Sequence, residues 1–168
     1  MSLDQIDCAI LGELLRRPRA GVRDYARTLG LARGTVQARL DRLTAQEVIG
    51  DYAPQLSHAA LGFPVLAFVH IQVQQGSLES FTRDLASLAQ VVEAHSMTGD
   101  ADVLCRVVAR DNRDLEAVIQ AILDLGGAVR TRSEIALTER VRRRDSTLLE
   151  ELARLAPSSS RAGVPTRL

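Results

Sequence analysis

The stretch Val22 to Leu43, VRDYARTLGLARGTVQARLDRL, limits the possible folds more than any other. Val22, Ala26 and Leu29 fall at i, i+4 and i+7, one face of a helix, and Val36, Leu40 and Leu43 repeat the pattern. Between the two sets lies Gly30, which can take the left-handed conformation that ends a helix and turns the chain, while Leu31 can fill the gap between the helices. Two short amphipathic helices joined by a tight glycine turn form a helix-turn-helix.

The second helix looks built for close approach. At about 100° per residue, Gly34, Ala38 and Asp41 lie opposite the buried face, flanked by Thr35, Gln37 and Arg42, with Arg33 and Arg39 nearer the buried edge. A small centre ringed by donors suits a helix lying in a DNA major groove. There arginine pairs with guanine, glutamine with adenine, and arginine or threonine with phosphate. Arg33, Gly34, Thr35, Gln37, Ala38, Arg39 and Arg42 are therefore the candidate contacts to double-stranded DNA. Asp41 is unfavourable toward phosphate and is placed away from the DNA backbone. The competing reading is an ordinary pair of core helices with a solvated arginine-rich face.

Charge favours the first. All 21 basic residues are arginine, and the chain is neutral overall, but the charge is unevenly spread. Residues 1–50 carry +2, residues 51–139 carry −6 and residues 140–168 carry +4; within 15–43 there are 8 arginines against 2 acids. The basic footprint thus lies on the helix-turn-helix, where phosphate contacts are needed, and the acidic middle should face elsewhere. With no lysine and heavy use of alanine and leucine, the arginines also fit a GC-rich genome. Aromatic residues make up 3% of the chain and tryptophan is absent, which disfavours a base-stacking platform. No apolar run of about 18 residues and no signal peptide is visible, so the expectation is a soluble, cytoplasmic protein. Cys8 and Cys105 read as isolated buried thiols, and His58, His70 and His95 lack ligand spacing, so no metal site is expected.

Taken in order, Leu3, Ile6, Ile10 and Leu14 form a helical stripe, widened by Leu11 and Leu15. Asp4 is its expected N-cap, Asp7 lies in its first turn, and Pro18 ends it. This helix covers the other two and completes a three-helix domain over 1–50. Val48–Pro54 reads as an extended exit, Ser57–Gly62 as one helical turn, and 51–64 as a linker. From Val65 the period changes to 2, giving a strand with one apolar face (Val65, Ala67, Val69, Ile71, Val73). A helix follows over Leu78–Leu88, then strands over Val91–Thr98 and Asp102–Ala109. A helix capped by Asn112 comes next, with Leu115, Ile119 and Ile122 inward, and a fourth strand spans Val129–Leu137. The order β-α-β-β-α-β over 65–141 is the split ferredoxin-like module. The overall class is α+β: an N-terminal three-helix, winged-type helix-turn-helix domain followed by that module. The face of the sheet away from the helices carries Leu66 and Phe68, and sheet-on-sheet homodimerisation is the simplest way to cover it. A dimer also supplies the two-fold symmetry needed to grip two half-sites. Arg140–Arg144 is a basic run, 142–156 holds a short terminal helix, and 157–168 reads as a disordered tail.

Three segments together carry a family resemblance. They are Leu3-Asp4-Gln5-Ile6-Asp7 with Ile10-Leu11; Gly30-Leu31 with Val36, Arg39, Leu40, Leu43 and Val48-Ile49-Gly50-Asp51-Tyr52; and Thr98-Gly99-Asp100-Ala101-Asp102 with Val103-Leu104. In this order and spacing the chain resembles the Lrp/AsnC, leucine-responsive or feast/famine regulators over residues 3–141. The resemblance implies a bacterial transcriptional regulator that binds DNA as a dimer or a higher assembly, often an octamer of four dimers. It implies an amino acid effector sensed at the C-terminal domain near the G-D-x-D turn, which nominates Met97, Thr98, Gly99, Asp100 and Asp102. Backbone N–H groups at such a turn can hold a carboxylate, and an aspartate an ammonium. The alternative is a plain hairpin turn whose aspartate bonds local backbone. The chain departs from the family pattern at Gly21 and Ala32, where a serine or threonine cap is usual, and at Glu47, where a helix-ending glycine is usual.

Two further readings remain open: a DNA-binding assembly protein without a small ligand, and an enzyme of amino-acid metabolism on a ferredoxin-like module. Against the enzyme, no nucleophile–base pair, metal cluster or phosphate-binding glycine loop is visible, so no catalytic residue and no cofactor is assigned.

Overall fold

The computed structural model describes residues 3–50, 54–142 and 144–157, and the chain divides into two compact units. The first contains the N-terminal helices and the last helix; the second spans 54–140.

In the first unit α1 spans Gln5–Arg16. Its start is fixed by a reciprocal capping box, in which the Asp7 amide donates to Asp4 Oδ1 at 2.8 Å and the Asp4 amide donates to Asp7 Oδ2 at 3.2 Å. Helix α2 spans Val22–Leu29 and stops at Gly30, whose φ of 65° is the left-handed turn expected there. Helix α3 spans Arg33–Ala45. Neither α2 nor α3 has a side-chain cap, because Gly21 and Ala32 supply no acceptor. After α3, Glu47 adopts φ 56°, alone among the described non-glycine residues in having a positive φ. The core is Ile10, Tyr25, Ala26, Val36 and Leu40, closed by Ile6, Leu14, Leu29 and Leu31. The Tyr25 hydroxyl donates to the Arg17 carbonyl at 2.8 Å, fixing the corner after α1. The expected extended exit over 48–54 falls partly outside the described residues, at 51–53, and 48–49 form a bend rather than a strand.

The second unit contains β1 (Val65–Val73), α4 (Leu78–Leu85), β2 (Val91–Ser96), β3 (Val103–Ala109), α5 (Asn112–Asp124) and β4 (Ala128–Ile135). The antiparallel sheet has the order β2-β3-β1-β4. One face is packed by Ala67, Val69, Ile71, Val103, Cys105 and Val107 against Phe81 and Leu85 of α4 and Leu115, Val118 and Ile122 of α5. The cap of α5 is Asp111, not Asn112: its carboxylate accepts from the Asp114 amide at 2.7 Å, and its extended backbone puts Asn112 in the first helical turn. Helix α4 ends at Leu85 rather than Leu88, since Leu88 and Val91 bond back in tight turns.

The other sheet face is less apolar than β1 suggests. The pairings Phe68↔Arg106, Phe68↔Glu134, His70↔Leu104, His70↔Arg132 and Gln72↔Arg130 put apolar groups on the central strands and charged groups among and beside them. Glu93 and His95 of β2 join the same face opposite Arg106 and Leu104. β1 alone shows the apolar half of this face; the charged half arrives from its neighbours.

The last helix, α6 (Ser146–Leu155), belongs to the first unit and lies against α1. A methyl group added at Gly12 would stand 3.9 Å from the Leu149 side chain, an ordinary contact distance, so Gly12 faces α6.

Candidate DNA-binding and effector sites

Helix α3 is anchored by Val36, Leu40 and Leu43, all buried. Arg33, Gly34, Thr35, Gln37 and Ala38 are exposed, and nothing lies within 4 Å of a Cβ placed at Gly34. The Gln37 amide donates to Asp41 Oδ1 at 2.7 Å, which keeps the acidic group paired along the helix.

The structure places Arg39 apart from the other candidates. Its side chain is 21% exposed, and one terminal nitrogen donates to both Asp4 oxygens at 2.8 Å and to Asp7 Oδ1 at 2.7 Å. Burial alone would lower its pKa, but its hydrogen bonds to Asp4 and Asp7 outweigh that and raise it. Burial likewise pushes the Asp4 carboxyl up, yet the Asp7 amide and the Arg39 guanidinium bring it below its ordinary value. Arg39 therefore ties α3 to the start of α1 through one terminal nitrogen, with most of its side chain buried. Arg42 also reaches Asp7 Oδ1, at 2.6 Å, but its side chain is 46% exposed. The basic footprint is thinner than the sequence count. Arg16 and Arg17 pair with buried Glu13, and Arg27 pairs with Asp24 at 2.8 Å. Among the described residues, Arg19, Arg23 and Arg33 have no ion pair.

In the second unit, the segment Met97 to Asp102 is closed by the Met97 amide donating to the Asp102 carbonyl at 2.9 Å. Gly99 has φ 108°, which only glycine adopts without strain. Asp102 is spent on structure: Oδ2 accepts from the Val73 amide at 2.7 Å, and its own amide donates to the Ile71 carbonyl at 2.9 Å. Gln72 Nε2 donates to the Asp100 carbonyl at 2.6 Å. Asp100 lies at an open concavity of about 450 Å³, lined by His70, Gln72, Asp100, Arg130, Thr131 and Arg132.

Of the five nominated effector residues only Asp100 lines this concavity; Met97, Thr98 and Gly99 are exposed on the turn beside it. His70, Gln72, Arg130 and Arg132 were missed as site residues. Alternation along each strand shows which of them share a face, but only the pairing of β1 with β4 brings Arg130 to Gln72 and Arg132 to His70. Arg132 lies 3.2 Å from Glu134, while Arg130 has no ion pair among the described residues. The concavity is thus lined by one acidic residue and two arginines, a set of charges that suits a zwitterion.

Among the described residues no group of three or more His, Cys, Asp or Glu side chains is placed to hold a metal, and no helix is long and apolar enough to cross a membrane. Cys8 and Cys105 are buried and free. Burial pushes the Cys105 thiol up to about 11, which keeps it an unreactive thiol.

Residues 3–44 match the AsnC-type helix-turn-helix domain, and residues 66–146 match the Lrp/AsnC ligand binding domain. The chain is 32% identical to the HTH-type transcriptional regulator Ptr1 of Methanocaldococcus jannaschii, over 67% of this chain and 76% of that protein. It is 28% identical to the HTH-type transcriptional regulator FL11 of Pyrococcus abyssi, over 82% of this chain and 91% of that one. Among solved structures, a feast or famine regulatory protein from M. tuberculosis complexed with L-methionine superposes with a TM-score of 0.77 at 29% identity, covering 85% of this chain and 97% of that one. These two curated relatives are archaeal and that structure is bacterial, so they do not single out a bacterial source.

Proposed function

The chain belongs to the Lrp/AsnC family of helix-turn-helix transcriptional regulators with a ligand-binding domain, and from that premise we propose how it reads DNA and what it senses. Arg33, Thr35, Gln37 and Arg42 contact bases and phosphates, while Gly34 and Ala38 let the helix approach closely. The observation that carries this is the division of α3: one face locked by Val36, Leu40 and Leu43, the opposite one small, exposed and edged with donors. Arg39 is left out of the contacts because its side chain is mostly buried and held between Asp4 and Asp7.

The protein acts on DNA in the cytoplasm as a homodimer or a larger assembly such as an octamer of four dimers. The sheet face away from α4 and α5 suits self-association, with Phe68 and Leu104 on central strands and charged groups of both signs around them. The effector is an amino acid or a related small molecule, as the relative bound to L-methionine suggests. Asp100 receives its ammonium and Arg130 its carboxylate in the concavity beside the 97–102 turn. One observation favours a second reading, an assembly protein with no small effector: Asp102 already has a structural partner in the Val73 amide.

The test uses a duplex selected by the protein from random-sequence DNA. Specific binding that weakens with salt and is lost in an Arg33→Ala/Arg42→Ala variant supports the assignment of α3; unchanged binding by that variant refutes it. Thermal shifts with each of the twenty amino acids, repeated on Asp100→Asn and Arg130→Gln, separate the effector reading from the effector-free one.

A further inference from the structure

Two carboxylates at the start of α1 meet two guanidinium groups from α3, and the four are not equivalent. Asp7 is the centre. Its side chain is 2% exposed, and it is held in the α1 capping box by its own amide and by the Asp4 amide. One of its oxygens accepts from both Arg39, at 2.7 Å, and Arg42, at 2.6 Å. Arg39 is enclosed between two acids, so its charge is cancelled locally. Arg42 touches one acid through a single terminal nitrogen, and nearly half of its side chain remains in solvent.

We propose that Asp7 is a positioning residue for DNA recognition, holding one end of the Arg42 guanidinium so that the rest of its fork is presented, already oriented, to a DNA phosphate. This rests on α3 being the helix that enters the groove. An arginine planted on a helix surface loses considerable rotamer freedom when it binds phosphate. A guanidinium pinned at one nitrogen has lost part of that freedom in advance, so less is lost on binding. The anchor is firm because Asp7 is fixed twice over, by the helix cap and by Arg39, and does not depend on Arg42 to stay in place. The same arrangement explains why a buried acid is tolerated next to a DNA-binding surface: its charge is neutralised from inside by Arg39. The outer arginine is then tethered by Asp7 yet keeps most of its donors. A simple surface salt bridge has neither property, since both partners there are solvated and interchangeable.

The experiment measures affinity against salt for the selected duplex and for a non-specific duplex. It compares the wild-type chain, Asp7→Asn, Arg42→Lys, Arg42→Ala and the Asp7→Asn/Arg42→Ala double variant. Arg42→Ala should weaken binding and lower the salt slope by about 0.9, one phosphate contact. Arg42→Lys keeps the charge but not the fork, so it should keep the slope and still lose about tenfold in affinity for the selected duplex. Asp7→Asn keeps a cap acceptor and removes a negative charge. It should tighten non-specific binding while narrowing the preference for the selected duplex about tenfold, a split that a purely structural role would not produce. In the Arg42→Ala background that loss of preference should disappear. The proposal is overturned if the Asp7→Asn and Arg42→Ala effects simply multiply, or if Asp7→Asn tightens both duplexes alike. Should Asp7→Asn not fold, Arg42→Lys decides: wild-type affinity in that variant overturns the proposal. If the wild-type chain prefers no duplex at all, the assignment of α3 fails, a result distinguishable from failure of the Asp7 tether alone.

Discussion

The two units are held together by different physics. The core of the second is apolar throughout: Phe81, Leu85, Ile71, Val103, Val107 and Ile122 are almost wholly buried, and its charged groups stay on the surface. The first has a smaller apolar core and, unlike the second, buries two charged residues, Asp7 and Glu13, each paired with two arginines. A small helical unit buries less side chain with which to fix helix positions, so ion pairs take over part of that task. The consequence is functional. The sheet-bearing unit carries its open concavity outside an apolar core, whereas the helix-turn-helix unit carries on α3 two arginines, Arg39 and Arg42, that are bound into its fold.

Substitutions can break this contrast. Phe81→Ala should cost the second unit about 3–5 kcal/mol, through lost transfer energy and an unfilled cavity, read in chemical denaturation. Asp7→Ala should cost the first unit about 1–3 kcal/mol, because Arg39 keeps Asp4 and Arg42 can rehydrate. A loss at Asp7 equal to that at Phe81 would mean the charges carry more of the fold than the contrast allows.

Acid sharpens the same comparison. The Asp4 carboxyl lies below its ordinary value despite burial, and the Arg110 side chain holds Asp114 down to about 2. A folded-state pKa below the unfolded one contributes stability that is complete above the unfolded value, about 4 for aspartate, and is lost as pH falls through the folded value. Thermal stability should therefore hold from neutral pH down to about 4 and fall between there and about pH 2. Asp4→Asn should flatten that fall in the first unit and leave the second unchanged; an identical acid limb in the variant would remove Asp4 from the account.

The smallest effects concern helix ends. Ala32→Ser should stabilise the first unit by about 1 kcal/mol by giving α3 the side-chain cap it lacks. Glu47→Gly should add about 0.5–1 kcal/mol by relieving a left-handed backbone at a residue with a Cβ. Both gains should appear in unfolding of the first unit only, and a shift in the second would show that the two unfold as one.

Much of the architecture could be read from periodicity. Helix α2 begins and ends where its pattern does, Gly30 turns the chain, and the βαββαβ order follows from the switch to period 2 at Val65. Reading failed where a residue's role depends on a distant partner. The cap of α5 moved to Asp111 because two neighbouring residues, Asp111 and Asn112, can both cap and only the backbone chooses between them. The open sheet face reads from β1 as apolar at Leu66 and Phe68 and polar beyond, and its charges are not visible there because they come from β2, β3 and β4.

By itself, then, the sequence determined the elements, their order and the face each one buries, since those depend on side-chain spacing within a dozen residues. The tertiary structure decided which polar groups are free. Arg39 and Arg42 lie one helical turn apart on α3, and helical spacing puts Arg39 nearer the buried edge, but only the approach of Asp4 and Asp7 from α1 encloses the first between two acids and leaves the second half in solvent. Asp100 and Asp102 stand two apart in one turn, and the end of β1 takes the second through the Val73 amide while the first faces the concavity. Hydrogen bonds between groups tens of residues apart leave no local periodicity, so the choice between structural and available residues is made only when the chain closes on itself.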